Sequence, residues 1–486
     1  MAENHVFHAW DYVVFASMLL VSTAIGLFYA FKRGGAGQRT TEDFLVGNRQ
    51  ISAYPIAFSL AASFMSAVAL IGYPAEVYNT GLNILMLNVA RILTTITVCL
   101  VYIPLFYRLN IISTYELQSI QNLTGLIICR DHNAATCSVS ISHLATELNL
   151  LLFVMSSQGG IKAVVWTDVF QLCIMMIGLL AVLIQGSIHV GSFGKIWNIA
   201  KNNGRTSLFD FDPDPRKRYT FWTVSFGALF GWTSIYGCNQ VQIQRYLSCK
   251  SEKEARKAVV LNVIGTCILF TLSCLCGLVM YAVYENCDPI KANRVSTTDE
   301  LTPLLVMELF DQMPGFPGLF VASAYSGTLS TISSGISALA AVCIEDLIKP
   351  TWKPWGRLSS RKKTLISKLL AMTFGLITIG LTGVSSLMGR NIIQATLTFE
   401  GIILGPILGV FTLAAIFPKS NSGSENLDPC LISPIVHTIY KYIFKTKPTP
   451  SITETNDNLI QHPVPRESSN GCDNSTVLNP IKSTKL

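Results

Sequence analysis

Nine apolar segments dominate this sequence and constrain its fold more than any other feature. They cover residues 12–31, 53–73, 82–106, 163–188, 219–240, 258–284, 316–346, 364–388 and 392–418. About 20 apolar residues are enough for an α-helix to cross the hydrocarbon core of a bilayer. In that medium a crossing backbone must satisfy its own hydrogen bonds. The segments therefore predict an all-α polytopic membrane protein.

Composition supports this class and excludes others. Half of the 486 residues are hydrophobic and only 13% are charged, against about 25% charged residues in a soluble domain. The net charge of +7 comes from basic residues in short loops between apolar segments, which indicates membrane topology rather than nucleic-acid binding. No Cys pair has zinc-ligand spacing beside a His partner. The sequence also lacks a nucleophile–base constellation and a phosphate-binding loop, so we predict neither an enzyme nor a cofactor.

Charge in the loops predicts the topology. Residues 241–257 and 349–363 are rich in Lys and Arg, which places them in the cytoplasm. Counting segments from these loops puts residues 189–218 and 285–315 outside. These loop assignments agree with one another only if residues 107–162 cross the membrane twice or not at all.

Two other regions complete the predicted organisation. Residues 1–418 form the transmembrane domain, and within it residues 116–160 are atypical because they contain few long apolar runs. Residues 419–486 are polar and rich in Pro, Ser and Asn, which predicts a disordered cytoplasmic tail.

The segment Phe316–Ile348 carries hydroxyl groups on one helical face. Ser326, Ser330, Ser333 and Ser337 recur at spacings of four, three and four residues, which aligns them along a helix. Small hydroxylated residues commonly mediate helix packing in membranes. The same oxygens would also suit a hard monovalent cation. The segment alone favours packing.

Two further features indicate a polar site in the membrane. Residues 53–73 contain small residues around Ser63 that permit the helix to unwind, and transporters place ion and substrate sites at such breaks. The alternative is a tightly packed continuous helix. Asp168 and Gln171 lie one turn apart near the inner end of the segment 163–188. An ionisable residue in a span is a functional hypothesis; the alternative is an interfacial Asp hydrated by water.

Six stretches resemble the sodium/solute symporter family closely. They are FLVGNRQISAYPIAFSLAASFMSAVALIGYPAEVY, GGIKAVVWTDVFQ, DPDPRKRYTFWT, WTSIYGCNQVQIQRYLSCKS, PGFPGLFVASAYSGTLSTISSGISALAAVCIEDLIKP and GPILGVF. They follow the family order over most of residues 10–418. Within the family the chain is most similar to the animal anion branch, the sodium-coupled monocarboxylate, multivitamin and iodide transporters.

The resemblance implies a fold and a set of site residues. The fold is a five-plus-five inverted repeat with an extra N-terminal helix, in which residues 53–73 and 316–346 form the first and eighth repeat helices. The implied Na⁺ ligands are backbone oxygens at Ala62 and Met65 together with Gly327, Ser330 and Thr331. Polar positions linked to sodium or substrate are Ser66, Asp168 and Gln171. The implied substrate pocket lies beside Ser63 and Phe64, and Trp232 and Tyr236 wall it or else pack in the membrane core.

The chain also departs from the family pattern. The interval between Ser113–Glu116 and Gly159–Val164 is shorter and more polar than the two helices that the family has there. The family also continues with further helices beyond the region of Phe417. Arg91 and Glu400 lie inside spans, unlike the branch, and we hypothesise that they pair. These departures suggest a shortened, apparently incomplete form.

The sequence therefore predicts a symporter that couples Na⁺ entry to a monocarboxylate or related small organic anion. One alternative is a multivitamin (biotin or pantothenate) or iodide transporter. Another is a transport-inactive shortened variant that regulates a full-length partner. Predicted partners are Na⁺, the anion, membrane lipid and a PDZ scaffold, because Thr484 and Leu486 fit the common C-terminal PDZ pattern. The predicted location is the plasma membrane, on the apical face of epithelial cells.

Overall fold

The computed structural model describes residues 7–31, 47–65, 67–109, 160–214, 216–217, 219–385, 408–409 and 411–412. Regular structure in these ranges is helical, apart from one isolated bridge between Ile51 and Cys249. The predicted all-α class is thus confirmed. Ser66, the interval 116–159, Glu400, the segment 392–407 and the tail with Thr484 and Leu486 lie outside the described residues.

The helices follow the apolar segments along the chain. They are α1 (Ala9–Phe31), α2 (Ala53–Phe64), α3 (Ala67–Thr80), α4 (Leu87–Thr97), α5 (Ile103–Leu109), α6 (Gly160–Val190), α7 (Phe193–Asn202), α8 (Ala228–Cys238), α9 (Gln240–Leu247), α10 (Glu252–Val283), α11 (Leu301–Leu309), α12 (Phe316–Val342) and α13 (Ser360–Ser385). Stretches of π-helix join α4 to α5 at Val98–Tyr102, precede α8 at Trp222–Gly227 and extend α12 at Cys343–Ile348.

Five helical stretches in the described part are long and apolar enough to cross a membrane, and a sixth qualifies if the bent pair of α2 and α3 is one span. The five are Ala9–Tyr29, Leu82–Arg108, Ile161–Val190, Glu252–Val283 and Phe316–Thr351. The predicted span 364–388 lies largely in α13, and its last three residues lie outside the described residues. The predicted span 219–240 corresponds to the π-helical stretch Trp222–Gly227 together with α8, and the chain breaks after it at Asn239, where the backbone is extended.

The predicted break in the segment 53–73 is present. Helix α2 ends at Phe64, and Met65 follows with φ −96° and ψ 72°, outside the helical region. Helices α2 and α3 meet at an angle of 55°. Ala62 and Met65 are almost fully buried at this break, so the free backbone groups face protein rather than lipid, as an irregular segment at membrane depth requires.

The prediction that residues 241–257 form a loop is wrong in its first half. Residues Gln240–Leu247 form α9, in which all residues but Val241 are buried. The Asn239 side chain caps this helix by accepting a hydrogen bond from the Val241 backbone N–H at 2.9 Å. The rule that places basic loops in the cytoplasm counts charges but not burial, so it gave no sign that Arg245 enters the core.

Helices α6, α2, α10 and α12 pack together and form the centre of the molecule. Glycine permits the close approach of α6 to α12, because a Cβ at Gly178 would lie 2.8 Å from the Ser323 Oγ atom. The helix α1 packs on the outside of this group, against α12 and α6. The polar residues of α2, α6 and α12 are thereby brought to one place inside the protein.

Candidate functional site at the helix break

Asp168 of α6 lies at the centre of a buried polar cluster. Its side chain has no exposed surface. The Ser59 hydroxyl of α2 donates to its Oδ2 atom at 2.5 Å, and the Ser330 hydroxyl of α12 donates to Oδ1 at 2.6 Å. The alternative of a hydrated interfacial Asp is therefore wrong, because tertiary packing of three helices removes this carboxylate from water.

Arg245 of α9 completes the cluster, and sequence reasoning missed it. Its Nη2 atom donates to the Asp168 Oδ2 atom at 2.9 Å and reaches the hydroxyls of Ser63 at 2.5 Å and Ser334 at 2.6 Å. Both members of the ion pair are fully buried. The Nε and Nη1 atoms of Arg245 are buried without an acceptor among the described residues. The only sequence signal was a single Arg amid the apolar and amide residues that precede the SCKSEKEARK stretch.

The two halves of the predicted Na⁺ site come together across the break. The Thr331 hydroxyl lies 3.1 Å from the Ser63 carbonyl oxygen and 3.0 Å from the Gly327 carbonyl oxygen, and either oxygen can accept its hydrogen bond. The hydroxyls of Ser63 and Ser330 are 3.1 Å apart. The end of α2, which carries Ala62 and Met65, thus lies against the part of α12 that carries the other three predicted ligands.

The predicted serine face of α12 divides into two kinds of hydroxyl. Ser326 and Ser333 donate to carbonyl oxygens of their own helix, at Ala322 and Ser330. Ser330 instead reaches the carboxylate of another helix, and Ser334, which is not on the predicted face, reaches Arg245. Periodicity placed the serines on a helix correctly but did not distinguish which of them would find tertiary partners.

Gln171 lies one turn after Asp168 and is also buried. Its Oε1 atom has no hydrogen-bond partner in the described part of the chain. A buried amide oxygen without a donor is costly, and it would readily accept a bond from a ligand or coordinate a cation.

Three aromatic residues meet beside the break. The ring of Phe64, the last residue of α2, stacks on that of Tyr236 with centroids 4.1 Å apart and planes at 14°. Phe64 also contacts Trp232 edge-on, with centroids 6.0 Å apart. Tyr236 is almost fully buried, and its hydroxyl accepts a hydrogen bond from the Asn262 amide at 3.2 Å. The structure thus brings together Phe64, Trp232 and Tyr236 as an aromatic wall between α2 and α8.

The donor set determines which ligands the cluster can take. Hydroxyl, carbonyl and carboxylate oxygens bind hard cations, whereas softer metals favour thiolate and imidazole. No group of three or more His, Cys, Asp or Glu residues suited to a metal ion occurs within the described ranges. The arrangement can hold an alkali cation on the oxygen side of the break and an organic group on the aromatic side.

Comparison of the sequence with known proteins finds sodium symporters among its relatives. A model of the "Sodium:solute symporter family" matches residues 44–119 and 133–424. The mouse sodium-coupled monocarboxylate transporter 1 is 44% identical over 436 residues, which covers 86% of this chain and 70% of the relative. The human sodium/iodide cotransporter is 42% identical over 440 residues, which covers 86% of this chain and 68% of that protein.

A solved structure shares the fold. The substrate-bound, outward-open state of a Na⁺-coupled sialic acid symporter superimposes with a TM-score of 0.74 and covers 90% of this chain and 97% of that chain. Sequence identity is 19%, so this likeness concerns the fold alone. The residues 120–132 that the family match leaves out lie inside the predicted atypical interval 116–160. Because the family model matches most of the chain, the chain belongs to the sodium:solute symporter family.

Proposed function

We propose that this chain is a Na⁺-coupled symporter of monocarboxylates or related small organic anions in the plasma membrane. The observation that carries the proposal is the buried cluster at the break between α2 and α3, where the Asp168 carboxylate binds the hydroxyls of Ser59 and Ser330. Such a carboxylate is costly in a membrane and serves ion pathways where it occurs.

Each group of residues has a role in this proposal. The Na⁺ ligands are the backbone oxygens of Ala62 and Met65, together with Gly327, Ser330 and Thr331. Asp168, Gln171 and Ser66 link the sodium site to the substrate, and Ser63 lies between the two. The substrate packs against Phe64, Trp232 and Tyr236, whose rings suit the hydrocarbon part of an organic anion.

Na⁺ binding supplies the energy for transport. Moving one elementary charge across the membrane contributes about 2.3 kcal/mol per 100 mV. The ion also joins α2 to α12, because its ligands lie on both helices. Binding therefore favours the conformation in which the end of α2 is ordered, and that end forms one side of the substrate pocket. No covalent step is required.

Uptake measurements test the proposal. Cells that express the chain are given labelled lactate, nicotinate, biotin and iodide, in Na⁺ or in choline, and surface abundance is measured by biotinylation. We expect Na⁺-dependent uptake of lactate or nicotinate. Iodide is the second candidate, because the sodium/iodide cotransporter is among the relatives. Absence of all Na⁺-dependent uptake at normal surface abundance would favour the inactive variant that regulates a full-length partner.

The C-terminal tail carries a second part of the proposal. Thr484 and Leu486 form a PDZ ligand that retains the protein at the apical membrane of epithelial cells. The support is the sequence pattern of a hydroxyl two positions before a terminal apolar residue.

A further inference from the structure

Arg91 is a buried cation inside an apolar helical stretch. It lies in α4, within the stretch Leu82–Arg108 that is long enough to cross a membrane, and only 2% of its surface is exposed. A charged side chain at this depth is expensive unless a partner compensates it, and it marks a functional position where it persists.

No carboxylate of the described residues forms an ion pair with Arg91. The buried acids have other partners: Asp168 pairs with Arg245, Glu308 pairs with Arg294, Glu76 accepts a hydrogen bond from Tyr219, and Asp11 caps α12. The Nη1 atom of Arg91 donates to the Asn88 Oδ1 atom at 2.9 Å. Among the described residues this is the one side-chain hydrogen bond that Arg91 donates, and Asn88 carries no charge, so no described carboxylate neutralises the guanidinium.

Aromatic rings fix the position of this guanidinium. The Arg91 Cζ atom lies 4.7 Å from the centroid of the Trp232 ring and 4.1 Å from that of the Phe270 ring. Cation–π contacts hold a guanidinium in place without neutralising its charge. Trp232 also contacts Phe64 at the break. The same indole therefore joins the Arg91 charge to the aromatic wall of the substrate pocket.

We propose that Arg91 binds the carboxylate of the transported acid and thereby selects organic carboxylates over a bare halide. This inference rests on the proposed transport of monocarboxylates. A guanidinium is planar and presents paired N–H groups that match the two oxygens of a carboxylate, which a spherical anion cannot match. The hydrocarbon part of the acid then lies along Trp232 and Phe64.

The test compares Arg91→Gln and Arg91→Lys with a matched charge control, Arg216→Gln. Arg216 is an exposed loop residue, with an 87% exposed side chain. The readouts are the half-saturating nicotinate concentration for Na⁺-dependent uptake and surface abundance. We expect Arg91→Gln to raise that concentration by about tenfold or more, since it removes a charge-assisted bidentate contact. Arg91→Lys should give a smaller rise, and Arg216→Gln none.

A binding measurement separates this inference from the proposed function. Purified protein in detergent with Na⁺ is titrated with nicotinate or with nicotinamide, which lacks the carboxylate, and thermal stabilisation is recorded. We expect saturable stabilisation by nicotinate only, lost in Arg91→Gln. If wild-type protein shows this pattern without uptake, transport fails and the inference stands. If uptake occurs and Arg91→Gln keeps the wild-type nicotinate dependence, the inference is overturned and transport stands.

Glu400 provides the rival explanation, because its pairing with Arg91 is a hypothesis drawn from the sequence. If Arg91→Gln fails to reach the surface, the double variant with Glu400→Gln is used. Rescue of surface abundance with a wild-type half-saturating nicotinate concentration would show that Arg91 only neutralises Glu400, and would overturn the inference. Rescue with a raised concentration supports it. If neither Arg91→Gln nor the double variant reaches the surface, the thermal stabilisation of purified Arg91→Lys by nicotinate is measured instead. Weaker stabilisation than in the wild type supports the inference, and equal stabilisation overturns it.

Discussion

Individual hydroxyls at the break have different partners, and these partners predict different consequences of substitution. Ser330 contacts the Asp168 carboxylate, and Thr331 contacts backbone oxygens of α2 and α12. Ser326, on the same helix, donates only to its own turn and to the Met18 sulfur. Hydroxyl residues in one helix thus divide into those with polar partners on other helices and those that donate within their own turn.

We expect Ser330→Ala and Thr331→Ala each to raise the half-saturating Na⁺ concentration severalfold. Each removes one neutral ligand, which costs about 1 kcal/mol and gives at most about a tenfold effect. Na⁺ titration of uptake, corrected for surface abundance, measures this. Ser326→Ala is the matched control and should leave Na⁺ dependence unchanged. Wild-type Na⁺ dependence in both test variants would show that these hydroxyls mediate helix packing and do not bind Na⁺.

The ion pair between Asp168 and Arg245 gives a second prediction. Asp168→Asn leaves the Arg245 charge buried without its counter-ion, and loss of one partner of a buried pair costs about 3–5 kcal/mol. Surface abundance of Asp168→Asn should therefore fall. The double variant Asp168→Asn with Arg245→Met should recover abundance but not Na⁺-coupled uptake, because the carboxylate is still missing. Normal coupling in Asp168→Asn alone would exclude a role for this carboxylate in ion binding.

At the scale of helices, the ends and breaks position the site. Helix α12 begins after Gly315, whose φ of 102° lies in the region that glycine favours. The Asp11 Oδ1 atom of α1 accepts hydrogen bonds from the backbone N–H groups of Gly315 at 2.8 Å and Gly318 at 3.0 Å. A carboxylate at a helix N-terminus satisfies free donors and complements the helix dipole. Helix α1 thus fixes the start of the helix that carries half of the predicted Na⁺ site.

Removal of this cap should destabilise the protein. We expect Asp11→Ala to lower the free energy of unfolding by about 1–2 kcal/mol, as loss of an N-cap does. Asp11→Asn should cost less, because the amide oxygen can still accept both bonds. Thermal unfolding of the purified variants in detergent, without Na⁺ or substrate, measures the difference. Equal midpoints for wild type and Asp11→Ala would show that the cap contributes nothing to stability.

At the scale of the whole molecule, the proposed PDZ ligand in the tail gives a prediction that is separate from transport. We expect that removal of Lys485 and Leu486 weakens apical retention in polarised epithelial cells and leaves Na⁺-dependent uptake per surface molecule unchanged. The physical reason is that a PDZ domain holds the terminal carboxylate and the last apolar side chain of an added strand. Pull-down with the terminal peptide and its Leu486→Ala form is the direct measurement. Equal recovery of PDZ proteins by both peptides, or by neither, would contradict the prediction.

The sequence by itself determined the membrane class and most helix positions, and it left a break near Ser63 and a continuous helix as alternatives. These properties depend on local composition and on residues three to four positions apart, which a reader of the chain can inspect directly. It also singled out Asp168, Ser330 and Arg91, because a polar residue in an apolar run is conspicuous. The predicted loop at residues 241–257 failed because the charge of Arg245 was counted without knowledge of its depth.

Only the tertiary structure decided which of these residues act together. Asp168 meets Ser59 across 109 positions of sequence and Arg245 across 77, and Ser63 meets Ser330 across 267. Contacts at such separations depend on how helices α2, α6, α9 and α12 pack, and no local period encodes that packing. The same packing surrounds the Arg91 charge with Trp232 and Phe270. A charge removed from water must find its partners within the protein. A basic residue that in the sequence indicates only topology therefore becomes, once buried, a member of an internal polar cluster.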